Sequence, residues 1–162
     1  NKVLPTVTGG GPSSITVASW LSGSSNADCA AEVDGYLNNV AGGAQLCIGC
    51  RVSGASYAAR NVYRASLLDD GSLTLGKVVA GTFTSLGTAS VSLSAGTAHT
   101  VRIEAIGTTI KAYVDGVLKI TVTDSSISAG GGLELQMSNP TGNTAASAAT
   151  AWSADAVRLI NT

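Results

Sequence analysis

Thr108-Thr-Ile-Lys-Ala-Tyr-Val-Asp-Gly-Val-Leu-Lys-Ile-Thr-Val-Thr-Asp124 decides the fold class. Two alternating apolar/polar runs meet at Asp115-Gly116, a dipeptide that accepts the positive φ of a tight hairpin turn. Side chains in a strand point to opposite faces in turn, so Ile110, Ala112 and Val114 share one side while Lys111, Tyr113 and Asp115 share the other. A half-buried antiparallel sheet follows, with one face dry.

The same period-2 pattern recurs along the chain, and no window sustains the 3.6-residue period of a helix. The predicted strands are Ile15–Leu21, Asp28–Leu37, Ala44–Val52, Asn61–Leu68, Leu73–Val79, Val91–Leu93, His99–Ile106, Thr109–Val114, Val117–Thr123, Leu133–Met137 and Trp152–Ile160. Turn signals separate them: Gly9-Gly-Gly-Pro12, Gly42-Gly43, Asp69-Asp-Gly71, Gly130-Gly-Gly132 and Asn139-Pro-Thr-Gly-Asn143. Such spacing is that of an all-β sandwich or barrel.

The 162 residues fit one domain, 1–162, with 1–13 as an N-terminal arm or first edge strand and 141–150 as a surface loop. The first residue is Asn1 rather than Met, as in a processed chain, an excised domain or the ordered part of something longer. Charged residues are only 12%, and nine basic against ten acidic side chains leave a formal charge of −1. Phosphate-driven binding needs clustered cations to displace counterions, so nucleic acid is not an expected partner. No apolar run approaches the roughly 18 residues of a membrane helix, and a soluble chain is expected.

Three cysteines make an odd set. Cys47 and Cys50 form a CxxC, but on a strand these positions face opposite ways, which suits neither a redox pair nor a zinc knuckle. Small buried thiols are the expected state. If Asp28–Leu37 pairs with Ala44–Val52 through a turn over residues 38–43, Cys29 and Cys50 come diagonally close on one face. That pair is the one disulfide the sequence suggests, with Cys47 free.

Beyond the hairpin, Tyr63-Arg-Ala-Ser-Leu-Leu-Asp-Asp-Gly-Ser-Leu-Thr-Leu-Gly-Lys77, Gly96-Thr-Ala-His-Thr-Val-Arg-Ile-Glu-Ala-Ile-Gly107, Gly130-Gly-Gly-Leu133 and Ala154-Asp-Ala-Val157 follow in a familiar order. The chain resembles the laminin-G-like branch of the concanavalin A-like lectin and glucanase superfamily. The resemblance implies a jelly roll of two curved sheets with the terminal strands close together. Similar domains occur in phage virion proteins, in secreted bacterial carbohydrate-binding proteins and as appendages of glycosidases.

The superfamily's glucanases carry E-[ILV]-D-x-(x)-E on a strand, and Glu32-Val-Asp-Gly-Tyr-Leu37 matches only its first half. Tyr36 and Leu37 stand where the second Glu belongs, so a retaining double displacement lacks its proton donor. Asp34 sits too near Glu32 to serve, and the expectation is no catalysis. On the proposed register Glu32, Asp34, Tyr36, Gln45 and Arg51 face the same way as a hydrogen-bonding surface for sugar hydroxyls. Tyr57, in the loop over residues 53–60, and Tyr63 are added as aromatic contacts. His99 opens a strand and gathers no triad.

No cofactor is expected. The resemblance offers Asp155 for a structural Ca²⁺ and the sequence offers Asp69 and Asp70, yet calcium wants six to eight oxygens. Two tryptophans, four tyrosines and one phenylalanine make aromatics scarce for a strong polysaccharide platform, and Trp20 and Trp152 are read as packing. The expected function is a non-catalytic surface, adhesion or decoration domain of an extracellular particle such as a phage virion, placed outside the cell or on the virion surface. Its partners would be shell subunits, further copies of itself or a cell-surface glycan. The alternative is a secreted bacterial carbohydrate-binding module or accessory domain of a glycoside-active enzyme.

Overall fold

The computed structural model describes residues 27–37, 44–54, 56–138 and 152–160, with residues 152–160, Tyr57 and Ser138 described by backbone alone. The predicted strand Ile15–Leu21, Trp20, the 1–13 arm and the 141–150 loop fall outside these residues. Ten strands follow one another: β1 (Cys29–Leu37), β2 (Gln45–Ser53), β3 (Asn61–Leu68), β4 (Ser72–Val79), β5 (Thr82–Ser90), β6 (Thr97–Ile106), β7 (Thr109–Val114), β8 (Val117–Thr123), β9 (Gly132–Ser138) and β10 (Trp152–Ile160). A 3-10 turn, Tyr57–Ala59, precedes β3.

The strands form two five-stranded antiparallel sheets, the first in the order β10-β1-β6-β7-β8 and the second in the order β5-β4-β3-β2-β9. The result is an all-β jelly-roll sandwich. β7 and β8 form the hairpin read from the sequence, with φ of 52° at Asp115 and 75° at Gly116. Ile110, Ala112 and Val114 are buried in the core with Val33, Leu46, Ile48, Leu67, Leu75, Ile103 and Leu135.

One predicted pairing is overturned. β1 lies between β10 and β6 in the first sheet, whereas β2 lies between β3 and β9 in the second. Both strands bury alternate residues, so alternation alone did not distinguish a hairpin from a crossing between layers. Consequently Glu32, Asp34 and Tyr36 cannot share an outer face with Gln45 and Arg51. A second difference concerns β5, which carries Thr82-Phe-Thr-Ser-Leu-Gly-Thr-Ala-Ser90 without apolar alternation because it is a largely exposed edge strand. The predicted strand Val91–Leu93 is instead extended chain whose Val91 and Leu93 pack onto the core.

Arg51 ties the two layers. It has φ of 56°, in the left-handed region, and the β2 registers toward β3 and β9 both break around it. That bulge turns the side chain inward, where it is 1% exposed. Nη1 donates to Ile127 O and Nη2 to Gly107 O, each at 2.8 Å, and Nε donates to Ala27 O. Asp28 Oδ1 lies 3.6 Å from Nη2, but this carboxylate is 54% exposed and contributes little. Nearby, Asp124 Oδ1 accepts from Tyr63 OH at 2.6 Å and Oδ2 accepts from Lys77 Nζ at 2.6 Å. Burial pushes the Asp124 carboxyl upward, but Lys77, Tyr63 and Ser126 outweigh it and hold the group well below its ordinary range. Burial and the bond to Asp124 push the Tyr63 phenol up to about 12.

Two stability predictions follow from these contacts. Arg51→Met, which leaves three carbonyls without their charged donor, lowers unfolding free energy by about 3–5 kcal/mol in urea titrations, whereas Asp28→Asn changes it by less than about 1 kcal/mol. Asp124 has a folded pKa below its ordinary value of 3.8, so its stabilisation is complete above that value and is lost as pH falls through it toward the folded pKa. Urea midpoints measured from pH 6 to pH 2 therefore decline on the acid side, and Asp124→Asn flattens that decline while lowering the neutral plateau.

Candidate functional site

Alternation places three rows of side chains on the outer face of the second sheet. Phe83, Val78, Val62 and Val52 make the first. Ser85, Gly76, Arg64, Gly49 and Glu134 make the second, and Thr88, Thr74, Ser66, Cys47 and Gln136 make the third. The middle row contains two glycines for a steric reason. A Cβ at Gly76 would lie 2.4 Å from Phe83 Cε2, and one at Gly49 would lie 2.6 Å from Val62 Cγ2 and 3.3 Å from Glu134 Cβ. Glycine within a strand marks the close approach of another group. Here the Phe83 ring lies over Gly76.

The ring is 44% exposed, and Arg64 Cζ stands 4.7 Å from its centroid. A guanidinium stacked on an exposed ring presents an apolar platform with a fixed donor fork beside it. Arg64 Nη1 donates to Gln136 Oε1 at 3.2 Å. Arg60 Nη1 pairs with Glu134 Oε1, both side chains being nearly fully buried. Arg64 Nε and Glu134 Oε2 are buried as well, and neither has a hydrogen-bond partner among the described residues. Burial pushes the Glu134 carboxyl upward against the pull of Arg60 and Arg64. Val52, Val62 and Val78 form a small apolar cluster beside the charged row.

Buried polar groups in folded proteins are overwhelmingly hydrogen-bonded. A donor and an acceptor are thus left open in the same row, next to an exposed aromatic ring.

Of the residues singled out in the sequence, Gln45 lies on this face, at the end of β2. Glu32, Asp34 and Tyr36 lie on the outer face of the first sheet, where Thr100 Oγ1 donates to Asp34 at 2.8 Å and Tyr36 OH donates to Gly96 O at 2.9 Å. Arg102, Glu104 and Tyr113 accompany them. Tyr113 OH donates to Glu104 at 2.7 Å, Arg102 pairs with Glu104, and a shallow hollow is lined by Glu104, Ile106, Thr109 and Lys111.

The expected exposure of Arg51 and Tyr63 is corrected. Both point inward and are fully engaged, because the bulge inverts Arg51 and the β3 alternation puts Tyr63 with Ala65 and Leu67 in the core. Tyr57 opens the 3-10 turn, and its side chain is outside the described residues. His99 does gather partners, Thr97 Oγ1 and Asp115 Oδ2, each at 2.9 Å. Among the described residues no three His, Cys, Asp or Glu side chains gather in a metal-binding group. Asp70 Oδ1 accepts from Ser72 N–H in a turn, and the Asp155 side chain lies outside the described residues.

The chain matches no family model and no curated protein. Solved structures do match. The carbohydrate binding module CBM66 from Bacillus subtilis superposes with a TM-score of 0.70 at 19% identity, over 99% of this chain and 92% of that one. Galectin LEC-6 of Caenorhabditis elegans gives 0.62 at 13% identity, over 99% and 96%. The β-glucanase of Bacillus licheniformis gives 0.59 at 17% identity, over 83% and 67%. The fold is a concanavalin A-like jelly roll.

Within this jelly roll the stacked ring has a direct test. Phe83 is the chain's only phenylalanine, so its ring resonances are unambiguous. In aromatic NMR spectra Gly76→Ala displaces the ring and shifts those resonances, Arg64→Ala shifts them by removing the guanidinium, and Ala98→Ser on the other sheet leaves them in place.

Proposed function

We propose that this jelly roll is a non-catalytic carbohydrate-binding module that takes a sugar on the outer face of its second sheet. The observation that carries the reading is the exposed Phe83 ring stacked on Arg64, in line with the open, buried acceptor of Glu134. A pyranose or furanose ring offers an apolar C–H face to such a platform and hydroxyls to the flanking donors and acceptors. Neighbours whose names state carbohydrate binding or galectin support the same class. They favour the carbohydrate-binding alternative over virion decoration, for which the comparisons offer nothing.

Glycosidases are also among the neighbours. Hydrolysis by double displacement needs two carboxyl groups about 5 Å apart on either side of the bond, and the three rows contain Glu134 as their one carboxylate among the described residues. Glu32 and Asp34, the incomplete strand motif, lie on the opposite layer. Binding without turnover is the reading that this arrangement supports.

A glycan array followed by calorimetry on the best ligand tests the proposal. Arg64→Ala and Phe83→Ala each weaken binding by about tenfold or more, and Tyr36→Ala leaves it unchanged. Loss with Tyr36→Ala but not with Arg64→Ala would move the site to the first sheet, around Glu32 and Asp34. No glycan retained by the unmodified chain would overturn the function itself.

A further inference from the structure

The two layers are tied together where β1 begins and β2 breaks. Cys29 opens β1 and Cys50 immediately precedes the Arg51 bulge, so the cysteines come from opposite sheets. Their side chains belong to one core cluster, exposed by 2% and 0%. The chain on either side is already tied across the gap. Arg51 donates to Ala27 O and lies beside Asp28, the two residues leading into Cys29. Between these ties the two thiols are themselves in hydrogen-bond contact.

Side chains that converge from facing sheets meet the condition for a disulfide, and those that diverge do not. Cys47 diverges. It sits on the outer face of β2 beside Ser66 and Gln136, with the sheet between it and the other two thiols.

We propose that Cys29 and Cys50 are a disulfide-forming pair that staples the first sheet to the second, leaving Cys47 as the unpaired thiol. The oxidant is a small-molecule disulfide. The thiolate of Cys29 attacks one of its sulfurs and releases one small thiol, and the thiolate of Cys50 then attacks the Cys29 sulfur of the mixed disulfide and releases the second. Two thiols of the chain are oxidised by two electrons to one S–S bond, and the protons leave with the two small thiols. Because both sulfurs end in the core, exchange takes place before the sandwich closes, while the chain folds. The bond closes a loop of about 20 residues that contains the crossing between layers, and the loop-entropy effect is largest in the unfolded state.

The test uses the full chain, denatured and refolded in a buffer of oxidised and reduced glutathione. Thiol titration in denaturant then finds one free thiol per chain, against three after reduction, and mass spectrometry of proteolytic fragments joins the peptide of Cys29 to that of Cys50. Cys47→Ser retains the bond and leaves no free thiol. Reduction lowers the Tm by about 5–10 °C. Three free thiols after refolding, or a linkage that includes Cys47, would overturn the assignment. The thiol count does not depend on sugar binding, so its failure leaves the proposed function untouched, and failure to bind glycans leaves the disulfide untouched.

Discussion

Water is kept from the space between the two sheets, and this one constraint organises the chemistry of the molecule. Every strand must turn one set of alternate side chains inward, so Ile48, Leu75, Ile103 and Ile110 form a dry layer and almost all polar function is left to the outer faces. Arg51 is the exception. A guanidinium in that layer is tolerable only because three carbonyls receive its donors, and those carbonyls come from chain segments outside the strands. The charge thus satisfies backbone that would otherwise be buried unpaired, and the left-handed φ at Arg51 is the local strain that puts it there.

Both outer faces bury an arginine donor without a partner among the described residues, Arg102 Nε on the first sheet and Arg64 Nε on the second, and the second adds the open acceptor Glu134 Oε2. On the first sheet, Asp34, Tyr36, Glu104 and Tyr113 form short internal hydrogen bonds along and across strands. On the second, Arg60, Arg64 and Glu134 are drawn out of water together, which costs more than an ordinary surface ion pair returns. Apolar residues would pack that face at lower cost. On the proposed function, ligand hydroxyls would complete the cluster's open donor and acceptor.

Legibility in the sequence followed the physics of alternation. Strands with one dry side, such as β3, β7 and β8, were readable to within a residue, and Asp115-Gly116 announced its own turn. β5 was not readable, because an edge strand exposed on both sides of Phe83 has no dry side to betray it. The pairing of β1 was hidden for a different reason. Burial of Ala31 and Val33 is the same whether the neighbour is β2 or β6, and only the three-dimensional path of the chain chooses. The site inherited both failures. Arg64 and Glu134 belong to strands far apart in the chain and meet only because β2 lies between β3 and β9, while Phe83 sits on the strand that had no signal.

Two signals were nevertheless present. Gly49 and Gly76 interrupt otherwise good strands, and an interior glycine weakens a strand unless another group occupies the space. Each borders Arg64 in the paired register, one making room chiefly for Val62 and the other for the Phe83 ring. The scarcity of aromatic residues then changes meaning. A single ring is a poor platform for a long polysaccharide, which rewards several stacking positions in a line, but it suits one terminal or branch sugar held by a charged row. On the proposed function the row across β4, β3, β2 and β9 would take one sugar ring over Phe83 and Arg64, with its hydroxyls directed toward Glu134.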